Sequence, residues 1–501
     1  MAAKLKAMDP VDAAWYHMDG ATNLAMVTGV SLTSEPLDFE RVKAVYTHRL
    51  LPLERFRQRV VETGLPYATP HWEDDPHFNI DDHVHHVALP EPRDKRALLD
   101  LLSDIASTPL DYRRPLWQVH VVDRVDGGSA MILRFHHCVG DGTAMMAIAQ
   151  LLFDEARDAP LERPAGKPRP PRAGLLDSLT RPVKRLLDQS AQALSSGANL
   201  VLHPFQAAEL AQLAAQSAGV AVGTLLKTPD PQSPLKGRLG VPKRVAWSEP
   251  VALDEVKAVG KAMDAKVNDV LVAAMAGALR HYMQDRQSAD DGMTIRAVVP
   301  VDLRAPGRAM DLGNRFGLVF LNLPVGTAGA LERLRITKRN MDGIKRSPEA
   351  AVFLGILNVF GRTPRPVEDL AVGIFGTKAT LVMTNVAGPR QPLYIAGSLI
   401  DRMMFWVPHP GALGMGISIL SYDDLVTLGV VADAGLVPDP EKITAEFNAE
   451  FARLRAAVAA EGTAPEAAPL ADRCAATTAA SRPCRNRPLH GSRYCRVHQQ
   501  G

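Results

Sequence analysis

The densest run of chemically capable side chains is His136-His137-Cys138-Val139-Gly140-Asp141-Gly142. A neutral imidazole, titrating near about 6.5, can take the proton of an alcohol as its oxygen attacks a carbonyl. If a strand runs to His137, alternation puts Leu133, Phe135 and His137 on one face and Ile132, Arg134 and His136 on the other. Only one histidine then faces a given cleft. Gly140 and Gly142 permit a sharp turn after the base, and Asp141 braces that turn or caps a helix at Thr143. Two plainer readings compete. One is a hydrogen-bonded structural His-His pair; the other is a Cys138 thiol nucleophile beside the imidazoles, although free cysteine commonly behaves as a small buried hydrophobe.

Two further clusters carry ligand-type residues. Asp82-His83-Val84-His85-His86 has the residue types of a metal site but reads mainly as a polar strand segment. Cys474-x9-Cys484-x10-Cys495-x2-His498 offers three thiolates and an imidazole, a closed tetrahedral set for structural Zn2+ with no open position for catalysis. It resembles small Cys3His modules appended to varied bacterial proteins, through PCRN and the ending YCRVH. Free thiols are the alternative. Residues 471–501 carry six Arg, no Lys and one acid, Asp472, so the tail suits anionic lipid, nucleic acid or an acidic protein patch, or is a solvated module with no partner.

The elements that must position the first cluster read as mixed α/β. Leu116–Asp123 and Ala130–His137 are short, β-rich and separated by Asp126-Gly127-Gly128, which predicts a hairpin ending at the histidines. Thr143–Phe153 is apolar almost all round and predicts a buried helix. Five of the thirteen residues from 160 to 172 are proline, which marks a crossover between halves. Helices are expected within 175–226, and a second α/β body follows with helices at Leu253–Met263, Asn268–Met283, Leu331–Lys345 and from Pro440 to about Ala459. Its strands are expected at Arg296–Val301, Leu318–Val325, Thr380–Val386, Gly414–Leu420 and Leu425–Val431. Ala350–Arg362, AAVFLGILNVFGR, suits a membrane interface, an acyl tunnel wall or core packing. The expected division is 1–156, a linker at 157–235, 236–460, a linker at 461–470, and the tail at 471–501.

Composition fits an ordinary globular chain of 501 residues, with 46% apolar and 22% charged. No stretch reaches the roughly 18 unbroken apolar residues of a membrane-spanning helix, and the start lacks the apolar core of a signal peptide. The expectation is a cytoplasmic chain. The overall charge of +2 hides an acidic body, since 51 basic and 54 acidic residues precede position 471.

HHCVGDG fits the HHxxxDG motif of the bacterial wax ester synthase/diacylglycerol acyltransferase family, which the chain resembles over about residues 5–458. Supporting segments are MDPVDAAWYHMD, Pro115-Leu116-Trp117, Asn268-Asp269, Gly313-Asn314-Arg315-Phe316-Gly317 and TNVAGP at 384–389. The last departs from the family pattern, which more often has Ser and Pro at the positions of Thr384 and Ala387. The resemblance implies an α/β fold of the α+β type, with two chloramphenicol-acetyltransferase-like domains and the active site in a channel between them. It implies that His137 is the general base, that His136 supports local structure, that Asp141 pairs with Arg304, and that Gly142 completes the motif. Pro115, Leu116 and Trp117 would shape the acyl channel, and Asn268 would hold the reacting carbonyl or its loop. An N-cap role for Asn268, with Asp269 favoured by the helix dipole, is the plainer alternative. The implied reaction moves a long-chain acyl group from acyl-CoA to diacylglycerol or a fatty alcohol with no catalytic cofactor. Water-insoluble substrates imply peripheral attachment to the inner membrane face or lipid droplets. Rival readings are transfer to a polyketide, peptide or sugar hydroxyl, and a silent lipid-binding or scaffolding protein.

Overall fold

A computed structural model describes residues 5–62, 69–162, 223, 227–304, 312–344, 349–362 and 372–463. The first half holds β1 (Lys6–Ala7), α1 (Pro10–His17), β2 (Met26–Thr33), α2 (Phe39–Arg49), β3 (Gln58–Val61), β4 (His71–Asp74), β5 (Val84–Ala88), α3 (Lys95–Ser107), β6 (Trp117–Val125), β7 (Gly128–His136) and α4 (Gly142–Leu152). The second half holds β8 (Lys243–Trp247), β9 (Val251–Ala252), α5 (Leu253–Ala262), α6 (Val267–Gln284), β10 (Ile295–Asp302), β11 (Phe316–Leu323), α7 (Ala330–Ile344) and α8 (Glu349–Phe360). It continues with β12 (Leu381–Ala387), β13 (Leu393–Ile395), β14 (Ser398–Trp406), β15 (Met415–Tyr422), β16 (Leu425–Asp433) and α9 (Pro440–Thr463).

The expected hairpin is β6–β7, antiparallel with Trp117 opposite Phe135. Its reversal is made by Asp126 and Gly127, both at positive φ, where Asp and Gly are tolerated better than branched residues. The hairpin lies inside a sheet of order β13-β14-β2-β7-β6-β5, antiparallel except for the β5–β6 pair. The second sheet runs β11-β10-β12-β15-β16-β8, with β9 beside β16. Helix α6 lies at the centre of the second core with all but three of its eighteen residues buried. Its alanines let α7 and α9 pack closely against it, and a strip of small residues costs least in side-chain entropy.

The sheets do not follow the sequence division. β13 and β14 come from the second half yet extend the first sheet, with Met404 opposite Val30. A core cluster of fifteen buried residues spans this seam, including Val30, Leu98, Leu102 and Ile132 against Trp247, Met404, Trp406 and Val431. A buried aliphatic side chain is worth roughly 1.5–3 kcal/mol. Exposed ion pairs across the seam, such as Lys95–Glu249 and Arg244–Asp100, are worth about 0–1 kcal/mol each. At this seam, apolar burial and not exposed charge therefore does most to join the halves.

The expectation of a fully buried helix after Gly142 is corrected: α4 buries Ala144, Ala147, Ile148 and Leu152, while Met145 and Met146 are half-buried. One face packs toward α2, and the small and flexible residues of the other tolerate partial exposure. α9 runs to Thr463, into the stretch expected to be a linker. The Pro-rich crossover and helices expected at 175–226 lie almost wholly outside the described residues, and so do Cys474, Cys484, Cys495 and His498 with the rest of the tail.

Candidate active site

β7 ends at His136, so the two histidines leave the strand in opposite directions. His136 turns into the first half, where Tyr16 and Tyr112 pack against its ring at 5.9 Å and Asp19 lies 3.8 Å from Nε2. Its Nδ1 accepts from the Cys138 backbone N–H at 3.1 Å. Burial, with the neighbouring His137, lowers its pKa to about 3. The ring is therefore neutral at pH 7.

His137 faces a cavity of about 110 Å³, whose walls include Trp15, Phe316, Leu318, Phe353, Leu357 and Leu413. The other lining residues are aliphatic, aromatic, proline, glycine or methionine, so His137 is the sole titratable side chain in the described wall. Trp15 stacks on the imidazole at 4.0 Å and 17°, which fixes the plane of the ring. The His137 backbone N–H donates to Ala25 O at 2.7 Å, pinning the end of the hairpin to the entry of β2. Burial lowers the pKa to about 4, and the Asp141 carboxylate opposes that shift. A neutral imidazole results, with a nearby negative charge placed to favour the protonated ring.

Asp141 does two jobs at once. Its Oδ1 caps α4 by accepting from Thr143 N and Ala144 N at 3.1 and 3.2 Å. The same carboxylate accepts from Arg304 Nη1 at 2.6 Å and from Arg315 N at 3.0 Å. Arg304 also donates to Gly313 O, so one buried ion pair ties the histidine loop to the 312–316 segment of the second half. Gly140 and Gly313 form a bridge there. A Cβ at Gly140 would stand 2.9 Å from that of Ala144, and Gly313 sits at φ +102°. Gly142, in contrast, is exposed, opens α4, and has nothing within 4 Å of where a Cβ would be. The tight position of this turn is Gly140, a correction to the placement of Gly142 among the site residues.

Other sequence-singled residues lie elsewhere. Leu116 and Trp117 are fully buried, and Pro115, Leu116 and Trp117 are all absent from the described cavity wall. Trp117 donates from Nε1 to Phe56 O at 2.9 Å and stacks on His83 at 4.6 Å. In the described structure this triplet packs in the core at the start of β6. Asn268 is no N-cap: Lys266 holds that position, and Asp269 closes a capping box by accepting from Lys266 N at 2.8 Å. The Asn268 Oδ1 accepts from Asn385 at 2.6 Å, and Asn268 also lies off the described cavity wall, so the geometry gives no support to an oxyanion role.

Cys138 is buried and its thiol is pushed well above the ordinary range by desolvation, which suits packing and not a nucleophile. His83 and His86 engage Trp117 O and Asp123, at 2.8 and 2.7 Å, and no cluster able to hold a metal occurs among the described residues. Helix α8, from the AAVFLGILNVFGR stretch, supplies Phe353, Ile356, Leu357 and Phe360 to the cavity wall. Reading residue by residue missed the contacts that Asp12, Trp15 and Asn314 make at the site. All three lie in segments whose motif resemblance was plain, MDPVDAAWYHMD and GNRFG, but whose chemistry depends on contacts between distant parts of the chain.

Comparison with known proteins agrees with this arrangement. The model of the wax ester synthase/diacylglycerol acyltransferase catalytic domain matches residues 8–271, and that of the WS/DGAT C-terminal domain matches residues 312–455. The chain is 28% identical over 430 residues to the "Probable diacyglycerol O-acyltransferase tgs1" of Mycobacterium tuberculosis, covering 83% of this chain and 88% of that protein. It is 29% identical over 473 residues to the tgs2 protein of the same organism, with 90% and 99% covered. Among solved structures, the wax ester synthase/diacylglycerol acyltransferase from Marinobacter aquaeolei VT8 superposes with a TM-score of 0.63 at 21% identity, covering 91% of this chain and all of that one. The first condensation domain of the calcium-dependent antibiotic synthetase follows with a TM-score of 0.57 at 14% identity, covering 91% and 96%. The two-domain α/β architecture is thus that of the condensation and chloramphenicol-acetyltransferase-like proteins. With both domain models matched in order along the chain, the protein belongs to the wax ester synthase/diacylglycerol acyltransferase family of acyltransferases.

Proposed function

We propose that this chain transfers a long-chain acyl group from acyl-CoA to the hydroxyl of diacylglycerol or a long-chain alcohol, with His137 as general base. The observation that carries the reading is a single neutral imidazole facing an otherwise apolar cavity wall. The alcohol oxygen bonds to the thioester carbon as its proton passes to His137. The tetrahedral intermediate then expels CoA as a thiolate, which takes up a proton, and no acyl-enzyme forms. The Asp141 carboxylate favours the imidazolium that develops, and holding two apolar substrates beside the base supplies rate through positioning. No described helix is long and apolar enough to cross a membrane. Val359 and Ile374 are 58% and 41% exposed beside the wall residues Phe360 and Phe375, which supports access to acceptors at a lipid surface. Structural Zn2+ held by Cys474, Cys484, Cys495 and His498 remains part of the proposal, with metal analysis near one equivalent as its check.

The test is a product analysis with labelled palmitoyl-CoA and either hexadecanol or dipalmitoylglycerol. Ester is expected with the native protein and none with His137→Ala. Folded native protein that makes neither ester would overturn the reading.

A further inference from the structure

The loop that follows Gly313 brings a second side chain to His137 that is not part of the HHxxxDG motif. Asn314 is 3% exposed and donates from Nδ2 to the main-chain oxygen of His137 at 2.8 Å. The same amide donates to Asp12 Oδ1 at 2.9 Å, and the Asn314 backbone N–H reaches that oxygen at 2.8 Å. The two acceptors that face Nδ2, His137 O and Asp12 Oδ1, settle which end of the amide is nitrogen. The remaining atom, Oδ1, is an acceptor, and it is buried without a hydrogen-bond partner. His137 Nδ1 is buried without a partner as well. A sealed acceptor on a side chain already bonded to the His137 main chain and a sealed nitrogen on the His137 ring complement one another, since each alone is buried without a hydrogen bond.

We propose that Asn314, held by Asp12, is the positioning residue of His137: its Oδ1 receives the Nδ1–H hydrogen bond, fixing the tautomer that leaves Nε2 to take the acceptor's proton. The proposal rests on the general-base reading of His137. Hydrogen bonding from the Asn314 side chain and from the ring's own main-chain oxygen both favour the protonated ring, with Asn314 the larger of the two. Asp12 is built for the holding task. It sits in the first turn of α1, 2% exposed, with Arg55 3.8 Å from its other oxygen and Trp15 one turn further along the same helix, stacked on the imidazole. Gly313, with its positive φ, brings the loop within contact of the carboxylate; a Cβ there would stand 3.0 Å from Asp12 Oδ2. Thus α1 holds the ring plane through Trp15 and the ring's orientation through Asp12 and Asn314.

The experiment compares the native full-length chain with Asn314→Ala, Asp12→Ala and Asp12→Asn, using palmitoyl-CoA and hexadecanol. Nitrogen-15 histidine NMR reads the tautomer of His137, assigned with His137→Gln. Asn314→Ala is expected to lower kcat at least about tenfold with KM changed less than about twofold. The native Nδ1–H signature should be lost in this variant. Asp12→Ala should follow it, and Asp12→Asn, which keeps an oxygen for Asn314, should recover most of kcat. An Nε2–H tautomer in the native protein, or a His137 signature unchanged in a folded Asn314→Ala variant, would overturn the proposal. The NMR readout does not need turnover. An inactive native protein with the expected tautomer would therefore reject the acyl-transfer reading and leave this one standing.

Discussion

Behind His137 the protein is crowded with polar groups, and in front of it there are almost none. Asp12, Asn314, Asp141 and Arg304 are each no more than 4% exposed, and named hydrogen bonds tie them to one another and to the histidine loop. The cavity wall facing the same ring is made of phenylalanine, leucine, valine and proline. Buried polar groups tolerate few arrangements, because a missed hydrogen bond costs more than a made one gains. Apolar surfaces accept many shapes of similar volume. The contrast separates two tasks: the rear holds one imidazole in one orientation, and the front accommodates chains of differing length.

The largest effect is expected at the rear. Arg304→Ala leaves Asp141 as a buried carboxylate without its cation and should cost about 3–5 kcal/mol of stability, read by urea unfolding. A loss below about 1 kcal/mol would mean that the pair does not hold the halves together. At the front, Leu318→Trp adds volume to the cavity wall while leaving the polar rear untouched. It should lower kcat/KM for palmitoyl-CoA relative to octanoyl-CoA by about tenfold or more, in keeping with about 1–3 kcal/mol per methylene in a hydrophobic pocket. An unchanged ratio would place the acyl chain elsewhere.

The buried rings of the rear also govern acid stability. His136, His137 and His409 are buried and His120 is half-buried, and desolvation lowers the pKa values of His120, His136, His137 and His409 to about 4, 3, 4 and 4. Between about 6.5 and those values the unfolded chain binds protons that the folded chain refuses, so stability falls as pH drops through that window. Asp12, raised by burial to about 6, acts in the opposite sense between 3.8 and 6. Thermal unfolding at pH 5 should occur at a lower temperature than at pH 7, and His120→Gln should reduce the difference. An equal Tm at both pH values would show that these rings are not held neutral.

Much of the frame was legible from local pattern. The β6–β7 hairpin and helices α6 and α9 lie close to their expected positions because alternation, the Asp-Gly-Gly turn and helical periodicity are local signals. Strand β14 was not foreseen. Its sequence, SLIDRMMFW, mixes charged and apolar residues and takes its place only through pairing with β2, more than 360 positions away. The site divides in the same way. The Asp141–Arg304 contact followed from motif resemblance, whereas the packing of Trp117 on Phe56 and His83 depends on core contacts that the motif does not spell out. Asp12 and Asn314 stand 302 positions apart, and no local period links them.

The most direct test of the account is a single-turnover experiment with acyl-labelled palmitoyl-CoA, excess native protein and saturating hexadecanol, quenched over time. The label should pass from CoA to ester with none bound to protein at any time, and His137→Ala should leave it on CoA. Label accumulating on the protein, or ester formed at the native rate by His137→Ala, would contradict direct transfer to an alcohol activated by His137.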